Sequence, residues 1–355
     1  MTAEPSSGGR RAVLAAFAAN LGIAATKLAA FVITGSASML AESVHSVADS
    51  GNQALLLLGR SRAQREQTEE HNFGYGAERY FYAFIVALVL FTIGALFSIY
   101  QGIDRIRHPE HLESPAVALA VLGVAAVLEG FSFRTAIRES SEARGRGTWL
   151  GFIRRAKAPE LPAVLLEDSA ALTGLLLAFC GVVLSAVTGN ARWDGAGSLA
   201  IGVLLGCVAV ILAVETKSLL IGESAGRNSE RAIVAAIEAS PQIQRVIHLR
   251  TLHVGPDTLL VAAKVAVRGA DSAADVAAGI NAAERRIRDA VPIAELIFLE
   301  PDLYQPGRMD ADDPAVQAAR RGSSLRAAGR SAIRAVRRGR PSGGTGGPAG
   351  GAGSA

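Results

Sequence analysis

Apolar residues crowd the first two thirds of the chain and thin out toward its end. Between residues 10 and 220, long apolar stretches alternate with short polar ones. A hydrocarbon slab about 30 Å thick takes about 20 apolar helical residues to cross. The pattern predicts six such helices, over 11–34, 38–59, 79–103, 115–136, 160–187 and 196–220. Gly35 ends the first and Pro115 opens the fourth. The first ten residues, MTAEPSSGGR, are polar, and the run behind them reads as the first span and not as a cleaved leader.

Beyond residue 222 the periodicity shortens. Ser229 is the expected cap of a helix over Glu230–Ala239. Two strand-like segments, Val246–Val254 and Leu259–Val267, flank Gly255-Pro256-Asp257, a hairpin signal. Over Ser272–Ala290, Val276, Ile280, Ala283 and Ile287 recur near helical spacing, and Glu295–Leu299 supplies a last strand. The order αββαβ predicts a small α+β layer pair. The end of the chain is rich in Ala, Gly, Arg, Ser and Pro and is expected to be disordered. The expected division is a cytoplasmic segment over 1–10, a transmembrane domain over 11–222, a cytoplasmic αββαβ domain over 223–304 and a basic tail over 305–355.

Charge sets the orientation. The loops after the second and fourth helices hold Arg60, Arg62, Arg65, Arg138, Arg144, Arg146, Arg154, Arg155 and Lys157. The loops on the other side hold Arg105, Arg107 and Arg192. The positive-inside rule puts both termini in the cytoplasm of a multi-pass protein of the inner (plasma) membrane. With a net charge of +4, the basic excess reads as topology and anionic-lipid contact, and no nucleic-acid partner is expected. Cys180 and Cys207 fall inside apolar runs and read as small core residues, too few for a disulfide framework or a four-thiolate site.

The second predicted helix carries Glu42, His45 and Asp49, whose spacings of 3 and 4 place them on one face. A charge at a helix centre costs about 2.5–3.5 kcal/mol on insertion scales, so such groups pair or bind something. Histidine with carboxylate suits zinc and other first-row divalent ions. The fifth helix carries Glu167 and Asp168, which point about 100° apart. A metal between these helices can take His45, Asp49 and one of the two carboxylates; the residues do not say which. Glu42 also reads as an edge-of-membrane structural residue, and a lone histidine as a packing residue. Asn52, Lys27 and Glu129 read as interhelical hydrogen-bonding, pathway-lining or snorkelling side chains, Lys27 with a carboxylate partner that the residues do not identify. In the last domain His248, His253 and Glu300 are the candidates for an additional metal site; histidines on a strand equally read as surface residues.

GSASMLAESVHSVADSGNQALLLLG resembles the second helix of the cation diffusion facilitator (cation efflux) family, with an acidic residue ahead of His and Asp four apart. HNFGYGAERYF and DGAGSLAIG resemble the same family's entries into its third and sixth helices. Together the resemblance covers about residues 11–304. It implies six transmembrane helices followed by a ferredoxin-like cytoplasmic domain and a homodimer. It also implies a site between the second and fifth helices and export of Zn²⁺, or of Mn²⁺, Fe²⁺ or Co²⁺, in exchange for protons by alternating access. The metal is then cargo, and no cofactor is expected. The family's fifth helix usually carries two ligands four residues apart; matching the second to Asp168 leaves Val164 at the first. VLLEDSAALTG resembles a subgroup typified by the ninth human zinc transporter and its bacterial relatives, which share the Glu-Asp pair. The lost ligand keeps a second reading open, a transport-inactive metal sensor or scaffold. An enzyme is not expected, since no His-Glu-x-x-His motif and no nucleophile paired with His45 is present.

Overall fold

A computed structural model describes residues 7–109, 114–145, 147–304 and 316–317, with side chains from Leu21 onward. The chain falls into two compact units. One comprises the residues up to Glu223 with Leu252–Leu259, and the other Ser224–Thr251 with the chain from Leu260. The expected tail lies outside the described residues apart from 316–317.

The first unit is helical. Helix α1 spans Ser7–Thr34 and α2 spans Ala37–Ala63. Helix α3 (Glu78–Val89) runs through a π-helical stretch, Leu90–Leu96, into α4 (Phe97–Arg107). Helix α5 (Pro115–Arg144) is followed by a short α6 (Trp149–Arg155), then α7 (Glu160–Thr188) and α8 (Arg192–Ile221). Several helix ends differ from expectation by about a turn, and the end of the fourth predicted helix by more. Helix α5 continues two turns past Ala136 into the basic segment, and that segment folds again as α6, capped by the Thr148 hydroxyl on the Gly151 amide. Helix α8 begins at Arg192, about one turn before the expected start at 196.

Four helices are long and apolar enough to cross a membrane, Glu78–Arg107, Pro115–Arg144, Glu160–Thr188 and Arg192–Ile221. The described apolar part of α1, Leu21–Thr34, is shorter. Helix α2 fails on composition, because it carries Glu42, His45, Asp49, Arg60 and Arg62. Its burial explains that cost: Glu42, His45, Ser46 and Asn52 all face the inside of the unit. Apolar side chains point outward instead, among them Val32, Val124, Phe131, Leu176, Val187 and Val210. Cys180 and Cys207 lie on these outward faces as free, exposed thiols and not in the core. In a membrane both faces of a helix are apolar, so hydropathy does not separate core from lipid side.

Small residues let α4 and α8 meet backbone to backbone. A Cβ on Gly102 would stand 2.5 Å from the Leu199 nitrogen, and one on Gly202 2.6 Å from the Ile99 nitrogen. At the far end of α8, Glu223 pairs with Lys157 of the α6–α7 connection. Burial by itself would raise the Glu223 pKa, but hydrogen bonds from Lys157 and Ser218 outweigh it and hold the carboxyl below its ordinary 4.5. A depressed carboxyl pKa adds stability above the unfolded value, lost as pH falls through the folded one. Glu223→Gln should therefore flatten the acid limb of stability against pH below about 4.5, by no more than about 1 kcal/mol. Thermal unfolding across pH 3–7 checks it.

The second unit contains α9 (Arg227–Glu238), β1 (Ile243–Gly255), β2 (Thr258–Val267), α10 (Ala273–Ala290) and β3 (Ala294–Leu303), with the β1–β2 tip assigned to the first. This is the expected αββαβ order, in a sheet ordered β1-β2-β3. Ile233, Ile237, Leu249, Val261, Val265, Ala283, Ile287 and Ala294 form its buried core. Ser272 caps α10 in a reciprocal box with Asp275. Ser229 does not cap α9; Gly226 takes that place and Ser229 lies inside the first turn. On α10 the buried positions are Gly279, Ala283 and Ile287, because the Gln242 side chain packs against Gly279 where a Cβ would stand at 2.7 Å.

Candidate metal centre

Helix α2 is held at its start by a group 158 residues away. The Ser36 hydroxyl donates to Asp194 Oδ1 at 2.7 Å, the Ala37 amide donates to Oδ2 at 2.6 Å, and the Ser38 hydroxyl donates to the Asp194 carbonyl at 2.8 Å. Ser36 Oγ in turn accepts from the Met39 amide, the ordinary helix cap. Asp194 is thus a remote second cap that sets the height and rotation of α2. Asp194→Ala should cost about 1–3 kcal/mol, since it strands buried donors, and Asp194→Asn should recover part of it; unfolding temperatures in detergent check both. The sequence signal for this residue was its place in DGAGSLAIG, with no hint of a partner.

About two and a half turns below the cap, His45 Nε2 lies 3.3 Å from Asp49 Oδ2. That is ion-pair distance without hydrogen-bond alignment, and both ring nitrogens of His45 are buried without a hydrogen-bond partner among the described residues. Asp49 Oδ1, Asn52 Oδ1 and Glu42 Oε1 are in the same condition. Buried polar atoms are normally satisfied, so a row of free lone pairs on one helix face calls for a ligand or a water.

The pair on α7 diverges as the 100° rotation requires. Glu167 Oε1 accepts from Asn52 Nδ2 at 2.9 Å and so faces α2. Asp168 Oδ2 accepts from Ser132 of α5 at 3.0 Å. Both are buried. Of the two, Glu167 is the α7 carboxylate turned to α2. Val164 packs against the apolar core. Among the described residues no three His, Cys, Asp or Glu converge closely enough to hold an ion together.

Lys27 gains the partner that spacing could not identify. Fully buried on α1, its ammonium donates to Glu42 Oε2 at 3.1 Å and to the Ser46 hydroxyl at 2.7 Å, with Glu129 Oε1 of α5 at 3.9 Å. A buried amine in this contact does not snorkel. Glu42 is wholly buried too, so its carboxyl is held by Lys27 and not by bulk water. The interior therefore gathers the carboxyls of Glu42, Asp49, Glu129, Glu167 and Asp168 around one lysine and one histidine. Such an excess of acid in an apolar setting favours binding a cation.

In the second unit His248 and Glu300 line one cleft with Arg250, Lys264 and Glu284. Glu300 is taken by Lys264 at 3.1 Å. His253, counted with the first unit, is buried with Nδ1 unpartnered among the described residues. His248 and Glu300 therefore share a cleft without joining a cluster of three ligands among the described residues.

Apolar helices wrapped around inward-facing ionisable groups define an integral membrane protein, and intramembrane charge of this kind marks a candidate functional site. Comparison with known families makes this particular: residues 13–221 match the cation efflux transmembrane domain, and the chain belongs to the cation efflux family. It is 35% identical over 242 residues to the Xenopus laevis mitochondrial proton-coupled zinc antiporter SLC30A9, covering 67% of this chain and 43% of that protein. To metal tolerance protein C4 of Arabidopsis thaliana it is 29% identical, over 73% of this chain and 57% of the other. To the cation-efflux pump FieF of Serratia proteamaculans it is 28% identical, over 70% and 77%. The chain thus spans less than half of the SLC30A9 relative's length. These relatives bear transporter names and not enzyme names, and the match to SLC30A9 agrees with the subgroup resemblance of the Glu-Asp pair.

Proposed function

We propose that the protein exports a divalent metal cation, Zn²⁺ first and Mn²⁺, Fe²⁺ or Co²⁺ next, in exchange for protons. The carrying observation is buried His45 beside half-buried Asp49, both with free lone pairs, set among carboxylates in a membrane domain. His45 and Asp49 supply two ligands, and Glu167 the third when it rotates from Asn52 toward them. Asn52 Oδ1, itself unpartnered among the described residues, is available as a fourth. Asp168 stays with Ser132 as a neighbouring charge. Ligands bind the metal deprotonated, so loading releases protons and returning protons displace the metal. Alternating access then moves the site from one face to the other.

In this reading α1 and α2 cross the membrane with the four strongly apolar helices, making six spans. The polar face of α2 is tolerated because it is turned inward. The arginines of the α2–α3 and α5–α7 connections put both termini in the cytoplasm of the inner membrane. The small αββαβ unit is read as ferredoxin-like and cytoplasmic, with the chain acting as a homodimer. The names of the SLC30A9 and FieF relatives support proton coupling and efflux.

The test is Zn²⁺ and then Mn²⁺ uptake into proteoliposomes under an imposed pH gradient. Uptake that needs the gradient, together with proton movement in the opposite direction, is the expected result. Metal uptake indifferent to the gradient would sink the exchange mechanism. The separate partners of Glu167 and Asp168 favour one rival, a metal sensor or scaffold. Saturable Zn²⁺ binding with no flux from folded protein would decide for it.

A further inference from the structure

We propose that the α5–α6–α7 connection forms a binding site for the phosphate group of an anionic membrane lipid. A cavity of about 700 Å³ opens here between the end of α5, the short α6 and the start of α7. Its charged lining is Arg144, Arg155 and Lys157, with no acidic side chain among the lining residues. Around that charge the walls are small or apolar, including Gly147, Gly151, Phe152 and Leu161.

The arginine at its centre is built into place. The Arg144 guanidinium stacks on the Trp149 ring at 4.1 Å, and its Nη1 donates to the Gly147 carbonyl at 2.9 Å. Its Nε is buried and has no hydrogen-bond partner among the described residues. The free edge, Nε with Nη2, is the one that holds a phosphate through two parallel hydrogen bonds. Stacking orders the group beforehand, which lowers the entropy lost on binding. Arg155 is exposed and has no ion pair among the described residues. Lys157 is tethered to Glu223 and acts as a fixed wall charge.

The position argues for lipid as the source of the phosphate. Helix α5 has 30 residues, about 45 Å at 1.5 Å per residue, against a hydrocarbon core of about 30 Å. Its charged last turns therefore reach the headgroup zone. Trp149 and Leu150 are exposed beside the cavity, an aromatic and an aliphatic side chain of the kind that settles at a membrane interface. Basic pockets between spans at that level suit anionic headgroups.

The experiment uses the full chain in a neutral detergent. Phosphatidylglycerol, phosphatidylcholine and inorganic phosphate are titrated in turn, reading unfolding temperature and Trp149 fluorescence in a Trp193→Phe background. Trp149 is then the remaining tryptophan of the two in the chain. Phosphatidylglycerol should raise Tm by roughly 2–4 °C and change Trp149 emission, where phosphatidylcholine does neither. Arg155→Gln, at an exposed position and so safe for folding, should weaken the response several-fold. Arg144→Gln with Arg155→Gln should abolish it. A response undiminished in Arg155→Gln, or equal with phosphatidylcholine, overturns the site, and assigns any anionic-lipid effect to other basic segments of the chain. An equal response to inorganic phosphate alone overturns lipid as the ligand.

Discussion

Asp49→Ala is expected to lower pH-driven Zn²⁺ flux to the level of protein-free vesicles. Asp49 is the carboxylate beside His45, one oxygen 3.3 Å from the ring and the other without a hydrogen-bond partner among the described residues. Removing a residue that merely orients a ligand costs metal affinity 10- to 100-fold, so losing the ligand itself should cost more than about 100-fold. The residue is part-exposed within the interior, and alanine there leaves no stranded partner that would unfold the helix. The α7 pair sharpens the result. Glu167→Gln should approach the Asp49→Ala phenotype, because Glu167 already faces α2 through Asn52. Asp168→Asn should keep most of the flux, because its carboxyl is turned to Ser132. If Asp168→Asn were dead and Glu167→Gln active, the assignment of the two carboxylates would be reversed. Full flux in Asp49→Ala would place the ion elsewhere.

Lys27→Met should be the most destabilising single change in the helical unit, by about 3–5 kcal/mol. Methionine matches the length of the lysine stem but leaves Glu42, wholly buried, with an uncompensated charge and Ser46 without its donor. The cost lies in the orphaned carboxylate, and replacing both members of a buried pair by neutral groups is often close to harmless. Lys27→Met with Glu42→Gln should therefore recover most of the lost stability. Unfolding temperatures of the three variants in one detergent read both effects. A Lys27→Met protein as stable as wild type would mean that Glu42 is held neutral and needs no cation. Flux through the stable double variant asks a separate question: whether this pair only holds α1 against α2 or also shapes the electrostatics of the neighbouring His45–Asp49 pair.

The unevenness of what the sequence revealed follows from two kinds of information. Helix α2 could be singled out because Glu42, His45 and Asp49 recur at spacings that any α-helix turns into one face, whatever surrounds it. The αββαβ order of the second unit was legible for the same reason, since hairpin signals and helical periodicity are local. The expected cap at Ser229 was not found, because several residues near a helix start can serve and packing chooses among them. Cys180 and Cys207 were placed in the core when they lie outside it, because lipid and core select the same side chains.

Length, periodicity and the cost of charge in an apolar helix thus sufficed to mark a helical membrane domain, its two ionisable helices and the small domain behind them. Those properties belong to single elements and survive without knowing any neighbour. The partners did not follow: Lys27 to Glu42 across 15 residues, Asn52 to Glu167 across 115, Asp194 to Ser36 across 158. Each depends on the rotation of one helix about its axis relative to another. A helix's own spacing leaves that rotation free, and packing of small residues and buried hydrogen bonds between helices sets it. Which of two adjacent carboxylates faces α2 was such a question, and tertiary structure alone could turn Glu167 toward Asn52 and Asp168 away to Ser132.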